Sequence, residues 1–376
     1  LDRLSLWFAV GLVCAFLALL RENMLLVVPF LLVLTWREKT GKGWMLALRR
    51  CGLLLLGLSL PLLVVASRNA ALGGGFLPTT SQGGVNFFIG NNPAADGTYR
   101  PLVPGKQVPG YEREGARILA EQAVGHPLAA DEVSRYWFRR ALSWARSEPV
   151  AFVRLQFAKL GLYWDGYEWP DAVDYYWMKT ISWPLRLPGL EWSAAALLAL
   201  WGLLLERRRL ALWSPVLLFE LGWMLSVVAF FVFSRYRLPA VPGLLLLAAI
   251  PLARASEAFG RGEKRRSGAM FAGVAILWLA PHIPGYAPRT ELVHFNLGRL
   301  AEERGDLANA AAHYERTLAA DPENLSATLN LGNLAARTGD YAAARSRFEA
   351  AVALSPDSDD AHANLGAALL ALGDLS

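Results

Sequence analysis

Apolar residues follow two regimes along the chain, and the change falls near Tyr286. Before it they form runs of near-membrane length: Leu4–Leu20, Met24–Trp36, Cys51–Ala66, Leu190–Leu205, Leu210–Phe233, Leu238–Ala253 and Gly268–Tyr286. After Arg289 they thin out to isolated positions at helical spacing in an alanine-rich, polar background. A helix crossing a bilayer takes about 20 apolar residues, so seven runs predict a polytopic transmembrane helix bundle over residues 1–286. Met24–Trp36 is the shortest run, reaching only about 20 Å as a helix. Fusing it with the first run would put Arg21, Glu22 and Asn23 in mid-membrane, so a hairpin turning at these residues is expected instead.

Charge orients this bundle. Arg37, Lys39, Lys42, Arg49 and Arg50, then Arg207–Arg209, then Arg254, Arg261, Lys264, Arg265 and Arg266 all fall on one side if every run crosses. The short connectors of the other side hold Arg21, Arg235 and Arg237. Basic connectors stay in the cytoplasm, which places residues 67–189 and everything after 286 outside. The net charge of +5 therefore argues for topology and not for nucleic acid; residues 289–376 alone hold 7 Arg against 13 Asp and Glu. Cys14 and Cys51 both sit in apolar runs, so neither a disulfide framework nor a CxxC metal motif is present. The first residue is Leu and no leader precedes the first run, so the chain reads as a piece lacking its N-terminal part.

The polar C-terminal region carries an internal period. Gly298, Gly332 and Gly366 are spaced by 34, each after a leucine (Leu297, Leu331, Leu365). Gly305-Asp306, Gly339-Asp340 and Gly373-Asp374 recur in the same register, as do Pro322 and Pro356. Ala310 with Tyr314, and Ala344 with Phe348, fall where a second helix must approach a first closely. This pattern resembles the tetratricopeptide repeat, a helix–turn–helix unit stacked into an α-solenoid. Residues 287–376 would hold two units and the first helix of a third, so the chain also reads as cut at Ser376. The array implies either a concave surface for a protein partner or a spacer. Leu297 and Leu331 are expected to pack on Tyr314 and Phe348 of their own units.

Three outward segments carry candidate chemistry. Gly83 to Tyr99 is dense in glycine, asparagine and aromatics, with Asn86, Asn91, Asn92 and Asp96 suited to a turn-rich loop that presents amides to a polar ligand such as a sugar. It matches neither a phosphate-binding P-loop nor a dinucleotide fingerprint. Between Val133 and Lys179, Tyr136, Trp137, Trp144, Phe152 and Phe157 recur at helical spacing, broken at Pro149, with Lys159 among several basic residues. They predict two amphipathic helices near the membrane surface, followed by an aromatic segment that holds Glu168. Third, Arg235-Tyr236-Arg237-Leu238-Pro239 puts two guanidiniums on the outer side, where bidentate pairing suits a phosphate. Glu220, eleventh in its apolar run, is expected to be protonated or paired inside the bundle.

Arg21-Glu22, the Asn86–Pro93 segment with Asp96-Gly97, Lys159 followed by Tyr163-Trp164 and Glu168, and Arg235–Pro239 together resemble the later half of a bacterial family 39-type membrane glycosyltransferase. That group is related to protein O-mannosyltransferases and the lipid A aminoarabinose transferase, and some members carry tetratricopeptide repeats. The resemblance implies a multi-pass protein of the bacterial cytoplasmic membrane that moves a sugar from a polyprenyl-phosphate donor to an acceptor on the outer face. It implies no certain cofactor and no metal site. By it, Arg235, Arg237, Lys159, Arg21 and Tyr236 would bind the donor phosphate, while Asn86, Asn91, Asn92, Asp96 and Glu168 shape the site loop. The carboxylate base would lie upstream of Leu1, so the chain alone is expected to be inactive. Two other readings stand beside it: a non-catalytic scaffold that recruits envelope proteins through the repeats, and an oligosaccharide polymerase or ligase. A transporter fits less well, since paired intramembrane charges are not evident.

Overall fold

The structure, a computed structural model, describes residues 4–37, 43–103, 109–171, 174–187, 189, 191–280, 289–356 and 358–374. Among these residues all regular structure is helical. In chain order it comprises α1 (Leu4–Leu20), α2 (Val28–Arg37), α3 (Gly43–Ala71), α4 (Gly83–Gly90), α5 (Pro109–Val124), α6 (Ala130–Ser147), α7 (Pro149–Trp164) and α8 (Tyr175–Ile181). Then come α9 (Trp192–Leu205), α10 (Ser214–Val228), α11 (Val241–Gly260), α12 (Lys264–Leu279) and the pairs α13 (Thr290–Glu303), α14 (Leu307–Ala320), α15 (Leu325–Arg337), α16 (Tyr341–Leu354), with α17 (Asp359–Leu372) last. The chain divides into two compact units, Leu1–Leu102 with Gly110–Trp169 and Pro188–Gly285, and Val103–Pro109 with Pro170–Leu187 and Tyr286–Ser376.

The first unit is a helix bundle whose pairs meet backbone to backbone. A Cβ on Gly11 of α1 would stand 2.1 Å from the Leu54 carbonyl oxygen, and one on Gly57 of α3 would stand 2.3 Å from that of Phe8. Gly202 of α9 meets the Leu247 carbonyl of α11 in the same way, at 2.1 Å. Close approach through small residues is how helices associate where the surrounding solvent is itself apolar. Bulky apolar side chains face outward on several of these helices: Phe16 is 58% exposed, Val64 69%, Leu204 57% and Ile276 64%.

Two helices, Trp44–Ala71 and Ser234–Gly260, are long and apolar enough to cross a membrane. Only 28% and 39% of their most apolar windows are buried inside the protein, whereas the core helix of a soluble protein is mostly covered. The apolar helical stretches at Leu4–Leu20, Glu22–Trp36 (a 3-10 turn followed by α2), Trp192–Leu205 and Ser214–Val228 are shorter. By length, two of the seven expected crossings meet the criterion. Met24–Trp36 is not one helix: a 3-10 turn at Glu22–Leu26 precedes α2, and Arg21 is extended (φ −147°, ψ 102°) after α1. The chain thus turns where the charged triplet stands. Lys39, Lys42, Leu190, the end of the last expected run and the domain boundary at 286 lie outside the described residues.

A second hydrophobic cluster lies over one end of this bundle, built from Val85 and Ile89 of α4, Ala116 and Ala120 of α5, Val133 and Trp137 of α6, and Phe231 and Phe233 from the segment after α10. Two helices form where expected, α6 and α7, with Pro149 at the first position of α7, where its missing N–H costs nothing. α6 is amphipathic, but α7 is corrected, since it exposes Val150, Val153 and Phe157 and buries Lys159. The expected turn-rich loop is corrected in part: Gly83–Gly90 is the helix α4. Its glycines serve packing, since a Cβ on Gly84 would stand 1.8 Å from the Ser134 carbonyl oxygen and one on Gly90 2.0 Å from that of Phe230.

In the second unit the period is a period of helices. Gly305, Gly339 and Gly373 each take a positive φ (77°, 84° and 73°), ending the first helix of a unit in the left-handed region that glycine enters freely. The aspartates that follow Gly305 and Gly339 cap the next helix: Asp306 accepts from Asn309 N and Asp340 from Ala343 N. Ala310 and Ala344 are fully buried, as are the rings of Tyr314 and Phe348. The rings, however, lie on glycine and not on leucine. A Cβ on Gly298 would stand 2.7 Å from Tyr314 Cε1, and one on Gly332 2.5 Å from Phe348 Cε1. The expected leucine packing is therefore corrected. Leu297 is half-buried, and Leu331 shares a core cluster with Ala310 and Tyr314 of the preceding unit. Neighbouring helix positions point about 100° apart, so if glycine faces its own partner helix, the leucine before it faces elsewhere. Residues 170–187 also belong to this unit. The buried Asp174 caps α8 through Trp177 N (2.7 Å) and accepts from Arg289 N (3.0 Å) at the start of α13.

Replacing Ala344 with Leu should overpack the contact between α15 and α16 and cost about 1–3 kcal/mol. Hydrogen exchange on the full chain should show faster exchange across α15 and α16, with α3 unchanged. Unchanged protection of α15 and α16 would mean the helices are not in close contact at Ala344.

Candidate functional site

Several of the expected site residues lie on the end of α4, the buried face of α7 and the α10–α11 connection, which hydrogen bonds join. They sort into a buried frame and an exposed rim.

The frame has two anchors. Asn91, fully buried at the C-terminus of α4, donates through Nδ2 to the Phe87 carbonyl (2.8 Å) and the Ala229 carbonyl (2.9 Å). Its Oδ1 accepts from Lys159 Nζ and Gln156 Nε2, both at 2.9 Å. Leu155, Lys159 and Tyr163 follow one another at four-residue spacing on the buried face of α7. With its ammonium wholly buried, desolvation pulls the Lys159 pKa down to about 7 from an ordinary 10.5. The second anchor is Arg237, 1% exposed, which donates to the carbonyls of Asp165 (2.8 Å), Leu162 (3.0 Å) and Tyr167 (3.0 Å). These lie at and beyond the end of α7, where helix carbonyls lose their intrahelical partners, and the guanidinium also stands 5.4 Å from the Trp192 ring centroid.

The reading of Lys159 and Arg237 as phosphate contacts is corrected by this geometry. Both cations are turned inward and committed to protein oxygens, so they hold the frame. Asn92 is likewise structural: Nδ2 donates to the carbonyls of Phe88 and Ile89, and Oδ1 accepts from Ala94 N in a tight turn. Asp96 accepts from the N and Oγ1 of Thr98 and pairs with Arg100 (2.8 Å). Partial burial would raise its pKa, but the bonds from Thr98 and Arg100 outweigh it and hold the carboxyl below the usual range. It is thus a weak base. Asn86 is half-buried in α4, and Glu168 is half-buried in the segment whose carbonyls Arg237 holds.

The rim is a cationic pair on one aromatic ring. Arg21, from the turn after α1, stands 5.0 Å from the Tyr236 ring centroid, and Arg235 stands 5.2 Å from the same ring and 5.5 Å from that of Phe233. Both arginines are exposed, whereas Tyr236 is half-buried and its backbone carbonyl accepts from Trp223 Nε1 (2.7 Å). The ring holds both guanidiniums by cation–π contact, and Arg235 Nη2 also reaches Tyr236 Oη at 3.5 Å. Glu22, next to Arg21, accepts from Thr80 Oγ1 (3.2 Å) and Thr79 Oγ1 (3.5 Å). It ties the turn after α1 to the approach to α4, a contact that no sequence spacing announces.

A family model of the tetratricopeptide repeat matches residues 252–325, 295–359 and 329–376. No curated protein matches the chain. The C-terminal region therefore consists of tetratricopeptide repeats, in the register of Gly298, Gly332 and Gly366. The first match begins upstream of that register, on α11 and α12, which pack against α9 in the first unit.

The buried amine makes stability depend on pH with a definite sign. Between pH 7 and 10.5 the unfolded chain binds the Lys159 proton and the folded chain does not, so stability rises with pH across that window. Below about pH 7 both states are protonated and the burial cost is constant. Thermal unfolding in detergent should show the midpoint rising from pH 7 to 9, and Lys159→Met should flatten the rise. An identical slope in the variant would mean that another group is responsible.

Proposed function

We propose that the chain forms the later part of a multi-pass membrane glycosyltransferase that moves a sugar from a polyprenyl-phosphate donor to an acceptor on the outer face of the bacterial cytoplasmic membrane. The observation that carries this reading is the pair of exposed guanidiniums, Arg21 and Arg235, held against Tyr236 beside the end of the bundle. In the transfer the acceptor's oxygen or nitrogen attacks the anomeric carbon. The bond from that carbon to the phosphate oxygen breaks, and its electron pair stays on the phosphate. Two cations near that oxygen stabilise the charge as it grows, the kind of preorganised stabilisation that dominates such steps. The acceptor's proton passes to a carboxylate base, which the resemblance to the family 39-type enzymes places upstream of Leu1. Lys159 and Arg237 act at one remove, as positioning residues: they hold α7 against α4 and the α10–α11 connection.

The repeats support a second reading that need not exclude the first. Tetratricopeptide repeats commonly mediate protein interactions, so the array would bring a protein partner to the membrane region. Alone, without transfer activity, this would make the chain a scaffold.

In the full-length protein, Arg235→Ala should lower the transfer rate by a factor on the order of 10²–10³, with Arg235→Lys recovering part of it. A wild-type rate for Arg235→Ala would remove the phosphate role and leave the scaffold.

The topology is testable separately. Cysteines introduced at Arg208 and Lys264 should be labelled by an impermeant thiol reagent only after the membrane is opened, and one at Arg100 without opening. The reverse pattern would invert the map.

A further inference from the structure

α7, α9, α10 and α11 enclose a cleft of about 560 Å³ that the proposed transfer chemistry leaves unused. Its walls are mostly aliphatic, with Leu200 of α9, Leu217 of α10 and Leu244 of α11 among them. Yet three of its lining residues each carry a buried polar atom that finds no hydrogen-bond partner among the described residues: Tyr163 Oη, Ser193 Oγ and Glu220 Oε1. Tyr163 is 1% exposed. Room for the carboxylate comes from the facing helix, since a Cβ on Gly243 of α11 would stand 2.0 Å from Glu220 Oε1. Buried polar groups are almost always paired, and an ionisable group at membrane depth marks a functional site. Three unpaired groups, one on each of α7, α9 and α10 around an otherwise apolar cleft, therefore describe a ligand that is mostly hydrocarbon with a small polar head.

We infer that this cleft binds a single-chain lipid alcohol. The hydroxyl would donate to Glu220 Oε1 and accept from Tyr163 or Ser193, which satisfies groups the protein leaves open. An anionic head is disfavoured beside a carboxylate. From Ser193 to Leu203 the cleft follows α9 for ten residues, about 15 Å, or half the roughly 30 Å hydrocarbon core. That length suits one chain from one leaflet, and the volume lies within the range of small-molecule pockets. The inference stands whether or not the chain transfers sugar, because none of its residues belongs to the arginine rim.

The test compares three photoreactive probes that share one diazirine-bearing hexadecyl chain and end in an alcohol, a carboxylate or a primary amine. Each is added to the full chain in lipid nanodiscs, and crosslinks are mapped by mass spectrometry. The alcohol should label α9 and α10 at the cleft at least tenfold more than the carboxylate and more than the amine. Glu220→Leu should erase that preference, whereas Glu220→Gln, which keeps an acceptor oxygen, should retain alcohol labelling to within about threefold. Equal labelling by all three probes would make the cleft an ordinary lipid-facing surface and overturn the inference. Tenfold preference for the amine would overturn it too, as it would show an ion-pairing site. The probe comparison on the unaltered protein decides the matter even if Glu220→Leu fails to fold.

Discussion

The carboxamide of Asn91 is the point on which the first unit turns. One side chain uses both donors and accepts two bonds, and its four partners lie on three separate stretches of chain: the body of α4, the face of α7 and the end of α10. Each bond alone contributes modestly. Together they fix the angle at which α7 crosses the bundle, because an amide offers its donors and acceptors in one plane. Removing the carboxamide would leave Lys159 and two carbonyls buried without it, and unpaired buried groups cost more than the bonds they lost.

The remainder of the site inherits its geometry from that crossing. With α7 fixed, its terminal carbonyls fall within reach of Arg237, whose guanidinium then ties α7 to the residues just before α11. Arg237 and Arg235 flank Tyr236, so anchoring one turns the other outward, where it meets Arg21 against the tyrosine ring. The inward cation holds the frame, and the outward cation lies exposed against the Tyr236 ring. Two residues apart on a short helical turn, they take opposite roles because burial and not identity decides what an arginine can bind.

The bundle is held by a different means, backbone contact at Gly11, Gly57 and Gly202, with bulky apolar side chains facing out. This inverts the soluble pattern seen in the repeats, where alanine and aromatic rings fill the inside and charged residues cover the surface. One chain thus uses both solutions, backbone contact through glycine in the first unit and small-residue and aromatic packing in the repeats.

Much of this was legible in the residues alone. Apolar run length gives α1 to the residue, the charged triplet marks the turn after it, and Pro149 separates α6 from α7, because these depend on neighbours close in sequence. The 34-residue register likewise predicts Ala310 and Ala344 at the closest approach. What sequence could not give was side-chain direction across separate elements. The segment Gly83–Gly90, poor in helix formers, becomes α4 because its glycines allow contact with Ser134 and Phe230. Lys159 has the spacing of a surface lysine on an amphipathic helix, and only the position of Asn91, 68 residues away, makes it a buried amine. Leu331 turned to the preceding repeat for the same reason. Local periodicity decides which residues share a face, and only tertiary packing decides what that face meets.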